Sequence, residues 1–364
     1  MKTKPRTING ASSLFLDAIR LTAALIVLLV HAYYQWFPSS FESTNVFANV
    51  AHASVVVFFV LSGYVIAHTT TSNNRGGTQY AQARLSRLYS VLIPALLFTA
   101  CCEIIIGRID PALLSNYVRG SSGVRYLLSG LFLNEVWFFS AAPPINEPLW
   151  SLGFEFWYYL IFGLWYFRRS GWKGIAIVVA GCLIAGPKIL VMMPIWLLGC
   201  VAYWIPSPKV RIHTSWTIVF IAICLALLTV VFLAPLPDRF GIPPFFFANQ
   251  FISDFVVGLF IALAFWNLPT SQPQGTKTRL VTTFRKLGDL TFPIYILNQP
   301  LLLLCRCFFN YQVNSYVQLF QAILIVLLVS CGMGILLERY RYRWVQFFKW
   351  FLSLRKQFSL RPAR

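Results

Sequence analysis

Runs of about twenty apolar residues constrain this chain more than any other feature, because that is the length a helix needs to cross the hydrocarbon of a bilayer. FLDAIRLTAALIVLLVHAYY, residues 15–34, is the first such run. On the same template ten segments qualify: 14–36, 51–69, 88–107, 147–167, 173–188, 190–205, 214–234, 251–267, 287–306 and 317–338. The expected fold is an all-α integral membrane protein with about ten transmembrane helices. A further apolar piece at 127–142 is short and interrupted by Asn134 and Glu135. It is expected to be interfacial or re-entrant.

Composition agrees, since 58% of the 364 residues are hydrophobic and only 11% are charged, far from the balance of a soluble domain. The 30 Lys and Arg against 11 Asp and Glu would point to nucleic acid in a soluble protein. In a membrane protein they mark cytoplasmic loops instead, and no nucleic-acid partner is expected. With residue 1 in the cytoplasm, 23 of the basic residues fall inside, six fall outside (Arg108, Arg119, Arg125, Lys188, Arg239, Arg306) and Arg20 lies within a span. Both termini are therefore expected to be cytoplasmic. Residues 1–338 are expected to form one transmembrane domain and 339–364 a basic tail, whose Trp344, Phe347, Phe348, Trp350 and Phe351 suit an amphipathic helix on an anionic inner leaflet. MKTKPRTINGASS resembles the basic region of a signal peptide, but Asp17 and Arg20 interrupt the apolar run that follows, so a retained first span is expected. The eight cysteines lie in or beside apolar runs without zinc-type spacing, and no metal is expected.

Polar groups inside the spans carry the functional content, because a charged residue near the bilayer centre costs on the order of 2.5–3.5 kcal/mol on insertion scales. Arg20 and His31 are eleven residues apart, about three helical turns, so both leave one face of the first helix ~16 Å apart. Asp17 can pair with Arg20 one turn away. A structural ion pair plus a hydrogen-bonded core histidine fits the same spacing. Arg84 and Arg87 sit one turn apart at the cytoplasmic mouth of the third span, where two guanidiniums can hold a phosphate or diphosphate, or simply form a positive flank. Glu155 lies within the fourth span, with Ser151 four residues before it on the same face and able to hydrogen-bond it. Asp289, Tyr295 and Asn298 surround Pro293 in a helix interrupted again at Pro300, which reads as a cavity wall or as a plain kinked helix.

In this order the pieces resemble the acyltransferase 3 family of membrane-bound O-acyltransferases of bacterial cell envelopes. The family's Arg and His separated by ten residues match Arg20 and His31. VVVFFVLSGYVIAH (55–68) matches its second span, Arg84 and Arg87 its Arg-x-x-Arg, Trp150 to Glu155 its W-S-L-x-x-E, and LGDLTFPIYIL its last signature. Where the family often reads L-D-G-L-R-G this chain has Leu16, Asp17, Ala18, Ile19, Arg20 and Leu21, as in the exopolysaccharide and nodulation-factor acetyltransferase branch. The last signature usually ends in His where this chain has Asn298, which cannot shuttle a proton at neutral pH.

The resemblance implies transfer of an acyl group, acetyl first, from cytoplasmic acetyl-CoA to a hydroxyl of a cell-envelope or exported polysaccharide or glycolipid, in the bacterial inner membrane. Acetyl-CoA would be a donor substrate rather than a bound cofactor. Arg84 and Arg87 would hold CoA phosphates, and Arg20 would assist along the pantetheine path. His31 would act as general base, with Glu155 as its expected orienting partner, and Ser62, Tyr295 or Asn298 as oxyanion donors. A covalent acyl-His intermediate ranks below direct transfer. A proton-coupled exporter or glycan flippase would also keep Arg20, His31 and Glu155 in a cavity. The outward loops 108–146 and 235–250 are expected to shape the acceptor site, and their aromatic residues such as Trp137 and Phe245 suit sugar stacking and the membrane interface alike.

Overall fold

In a computed structural model, residues 6, 8, 10–42, 45–72, 76–168, 170–269 and 279–359 are described. Each of the ten apolar segments of the sequence is helical over most of its length. In chain order the helices are α1 (Gly10–Trp36), α2 (Pro38–Glu42), α3 (Asn45–Ser72), α4 (Gly77–Ile109), α5 (Pro111–Ser115), α6 (Ser122–Gly130), α7 (Trp150–Tyr166), α8 (Trp172–Ala185), α9 (Pro187–Trp204), α10 (Ile212–Phe232), α11 (Phe251–Trp266), α12 (Arg279–Phe308) and α13 (Tyr316–Ser359). A short 3-10 turn, Glu147–Leu149, leads into α7. No strand occurs among the described residues. α1, α3, α4, α9, α10, α12 and α13 contain stretches long and apolar enough to cross a membrane, and α8 and α11 are shorter apolar helices. The protein is an all-α, multi-pass membrane protein.

Lipid limits the apolar run and not the helix, so several helices outrun their expected segments. The 33 residues of α4 and the 44 of α13 span ~50 and ~66 Å at 1.5 Å per residue, against a hydrocarbon core of ~30 Å. Of the tail expected to lie along the leaflet, residues 339–359 continue α13 without a break and pack on the start of α4, and 360–364 lie outside the described residues. Gln82 Nε2 donates to the Val345 carbonyl (3.1 Å), Ser86 Oγ to that of Trp344 (3.3 Å), and the Tyr89 ring meets Phe348 at 5.4 Å.

α1 packs on α12 and α3, α3 on α9, α9 on α11, and α11 on α10, while α13 closes on α12 and α4. The outer faces of α8, α10 and α13 expose Ile175 and Leu183, Phe220 and Phe232, and Phe320 and Leu328. Lipid tails are as apolar as these side chains, so such faces need no further cover. Close approach replaces the hydrophobic drive between helices, most clearly where α3 crosses α9. A Cβ on Gly199 would stand 1.9 Å from the Val60 carbonyl oxygen, and one on Gly63 would stand 2.0 Å from that of Trp196. Gly199→Ala must therefore push two backbones apart, and about 1–3 kcal/mol of destabilisation is expected from such overpacking. The thermal midpoint of the purified protein in detergent checks this, and an unchanged midpoint would refute it.

The 127–142 piece is not a span. α6 ends at Gly130, and residues 131–146 follow as turns docked on the α8–α9 corner. Gly186 makes that corner at φ +84, and a Cβ there would lie 2.6 Å from the Trp137 Cα. Only glycine meets both demands. Trp137 N–H donates to the Ala185 carbonyl (3.0 Å). Lys188, counted among the outer-loop cations in the sequence, is fully buried in the first turn of α9, where its Nζ donates to Glu135 and to the Phe139 carbonyl. It also faces the rings of Phe246 (5.6 Å) and Phe154 (5.7 Å). The polar residues that spoil 127–142 as a span are those that anchor it.

At the opposite end, Arg6 donates to the carbonyls of Ala202 (3.1 Å), Trp266 (2.9 Å) and Leu268 (2.8 Å). One guanidinium thus satisfies the unpaired C-terminal carbonyls of α9 and α11. This end, with Arg84 and Arg87 beside it in sequence order of the helices, is the basic face of the bundle.

Candidate active site

Helices α1, α3, α4, α7 and α12 enclose two cavities that share Val55 and Tyr295 as walls. The inner one, about 80 Å³, lies toward the basic face and is lined by Arg20, Ser62, Arg84, Arg87, Glu155 and Tyr159 among others. The outer one, about 570 Å³, lies toward the far face and is lined by His31, Gln35, His52, Arg119, Glu147, Trp150 and Arg306 among others. The three arginines singled out in the sequence converge on one cavity, and His31 lies in the other.

His31 is held by Asn298, whose Oδ1 lies 2.7 Å from Nδ1. The Asn298 amide nitrogen donates to the carbonyls of Tyr295 (2.6 Å) and Ile294 (3.3 Å), so its oxygen is the atom turned to the imidazole. An amide oxygen only accepts, hence Nδ1 carries the ring proton and Nε2 keeps the lone pair. The orienting partner expected in Glu155 is therefore Asn298. Glu155 lines the inner cavity only, where its Oε1 accepts from Ser62 Oγ (2.8 Å) and from the Tyr159 hydroxyl, while Trp196 Nε1 donates to Ser62 Oγ (3.2 Å).

Three further expectations change. Ser151 does not bond Glu155: its hydroxyl donates to the Pro148 carbonyl (3.1 Å) and pairs with the Tyr295 hydroxyl (3.0 Å), because the turn before α7 brings a free carbonyl closer. Ser62 and Asn298 have their donors committed elsewhere, to Glu155 and to backbone carbonyls, which leaves neither free for an oxyanion. Tyr295 divides its hydroxyl between Ser151 and Pro148 (3.2 Å) and stands at the junction of the two cavities.

On the basic side Asp17 Oδ1 lies 3.8 Å from Arg20, a loose pair. Arg84 donates to Thr69 Oγ1 (3.1 Å) and lies 5.9 Å from the ring centroids of Tyr80 and Tyr159. Asp289 stands outside the inner cavity, in a separate recess with Arg87, Glu338 and Arg341. At the far end Arg306 donates to Gln35 Oε1 (2.8 Å) and stacks 4.1 Å over Tyr311.

Sequence reasoning missed His52, Gln35 and Glu147 as cavity residues, took Arg306 for a loop position, and missed Asp254 as the partner of His52. His52 and Asp254 join at 2.9 Å across 202 residues, a separation with no local spacing to find. Trp137 and Phe245, suited by sequence to sugar stacking or to the membrane interface, do not line the outer cavity; Phe240 and Phe247 do. Trp137 belongs to the α8–α9 corner instead.

The family model described as an acyltransferase domain matches residues 13–339, and the chain belongs to that family. The acyltransferase MdmB of Streptomyces mycarofaciens is 30% identical over 190 residues, which covers 48% of this chain and 46% of that protein. The O-acetyl transferase of Shigella phage Sf6 is 24% identical over 226 residues, covering 56% of this chain and 63% of that protein. The chain thus matches between about half and somewhat under two thirds of these relatives' length. No solved structure matches it.

Proposed function

We propose that this chain is an O-acyltransferase of the bacterial cytoplasmic membrane. It takes an acyl group, acetyl by the narrowness of the inner cavity, from acyl-CoA on the cytoplasmic side. The acceptor is a hydroxyl of an envelope or exported polysaccharide or glycolipid that enters from the far side. The observation that carries this reading is the pair of cavities abutting at Val55 and Tyr295, one lined by Arg20, Arg84 and Arg87 and the other by His31. The excess of basic residues in the expected cytoplasmic segments supports this orientation.

CoA presents phosphates to Arg84 and Arg87 at the mouth, and its thin pantetheine arm passes Arg20 toward Tyr295. The acceptor hydroxyl donates its proton to His31 Nε2 as its oxygen forms a bond to the thioester carbonyl carbon. The C–S bond breaks, the proton passes from the imidazolium to the sulfur, and the products are an O-acyl ester and free CoA. Asn298 contributes by holding the ring in the tautomer that leaves Nε2 basic.

The direct test is to give membrane vesicles containing the chain acetyl-CoA labelled in the acetyl group, then weigh the envelope glycans by mass spectrometry. A labelled ester lost on mild alkali is expected; unchanged glycan mass would overturn the assignment and favour an exporter. Arg84→Ala with Arg87→Ala should raise the KM for acetyl-CoA about tenfold or more, since each lost charged hydrogen bond is worth about 1.5–3 kcal/mol. An unchanged KM would remove both residues from the donor site.

A further inference from the structure

The outer cavity holds a second imidazole that the step above does not use. His52, less than one turn before Val55 on α3, is buried, and its Nε2 lies 2.9 Å from Oδ2 of Asp254, also buried, in the first turn of α11. The ring is nearly parallel to Trp150 (centroids 5.8 Å apart, 8°) and to Phe240 (5.3 Å, 7°), and Trp150 in turn stacks on Phe247 (4.6 Å, 6°). All four rings line the cavity that also contains His31.

A carboxylate only accepts, so Nε2 of His52 carries the proton in this bond and the remaining ring nitrogen, Nδ1, is an acceptor. The two histidines thus differ in kind: His31 leans on a neutral amide and His52 on a carboxylate. The four rings stack on one another into a preorganised aromatic wall of the cavity, and in that wall stands one fixed hydrogen-bond acceptor. That combination fits a ligand with an apolar face and hydroxyls at its edge, which is a pyranose.

We propose that His52 and Asp254, with Trp150, Phe240 and Phe247, form the subsite that holds the acceptor sugar. One hydroxyl of that sugar donates to His52 Nδ1 while another hydroxyl is left free for acylation. His52 is then a binding residue that selects which hydroxyl reacts, and Asp254 is a positioning residue acting through it. This inference rests on the acyltransfer reading above.

The test uses the full chain in liposomes, acetyl-CoA labelled in the acetyl group, and the polysaccharide fraction of cells lacking this chain as acceptor. His52→Gln keeps an N–H directed at Asp254 but moves its acceptor, the amide oxygen, away from the position that Nδ1 holds. Asp254→Asn can turn its amide N–H to Nε2 and move the ring proton onto Nδ1, which inverts the hydrogen bond offered to the sugar. Both variants should raise the KM for polysaccharide about tenfold or more. The KM for acetyl-CoA should stay within about twofold, since the donor cavity is untouched. An unchanged polysaccharide KM in both variants overturns the proposal. So does an equal rise of both KM values, or loss of folded protein in both, because each of these assigns the pair a structural role. Absence of label with the unaltered protein refutes the acyltransfer reading itself.

Discussion

His31→Ala is expected to abolish measurable acetyl transfer while the protein remains inserted, folded and able to bind acetyl-CoA. A positioned general base contributes about 10²–10⁴-fold, and the other histidines are placed differently: His52 is tied to Asp254 and its Nδ1 is assigned above to holding the acceptor sugar, while His68, paired with Tyr203 at 3.2 Å, and the exposed His213 line neither cavity. The Asn298 contact allows a finer check. Asn298→Leu removes the group that holds Nδ1–H, so the ring can turn or exchange tautomers, and a smaller fall in kcat than for His31→Ala is expected, with the KM for acetyl-CoA unchanged. Kinetics of purified variants in liposomes measure both. Wild-type turnover in His31→Ala would remove the imidazole from the chemistry, and a normal kcat in Asn298→Leu would remove its orienting partner.

What the sequence disclosed and what it withheld divide along a physical line. Helix positions were legible because lipid imposes one rule on every span: an apolar run of fixed length with its backbone bonds satisfied internally. The shared face of Arg20 and His31 was legible because helical geometry over eleven residues is nearly rigid. Partners on different helices were not. Asn298 lies 267 residues from His31, and its role follows from two carbonyls of its own helix that fix which way the amide points. Glu155 was a sound choice as a polar group in the core, but depth along α7 puts it beside Ser62 and Tyr159 rather than His31. Lys188 was misplaced for a related reason: a short break between two apolar runs looks like a loop in water, and only packing shows that residues 131–146 cover it.

That burial leads to the largest stability effect expected in this chain. Lys188→Met leaves the Glu135 carboxyl and the Phe139 carbonyl without their donor in a site closed to water, and removing one partner of a buried pair costs about 3–5 kcal/mol. Burial already pushes the Glu135 carboxyl up to about 7 even with the Lys188 ammonium drawing it down. Without the ammonium it rises further, so the folded variant keeps a proton that the unfolded chain releases above pH ~4.3. The unfolded state then binds fewer protons than the folded one, and the variant's stability falls as pH rises, by up to ~1.4 kcal/mol per unit. Thermal midpoints in detergent should show a larger deficit at pH 8 than at pH 6. Lys188→Met with Glu135→Leu, which removes both polar ends, should recover most of the loss and its pH dependence. Because residues 131–146 lead directly into Glu147 and Trp150, the single variant should also raise the KM for the acceptor well before it unfolds. A pH-independent deficit, or one greater at pH 6, would show that Lys188 acts through packing against Phe154 and Phe246 rather than through its bond to Glu135.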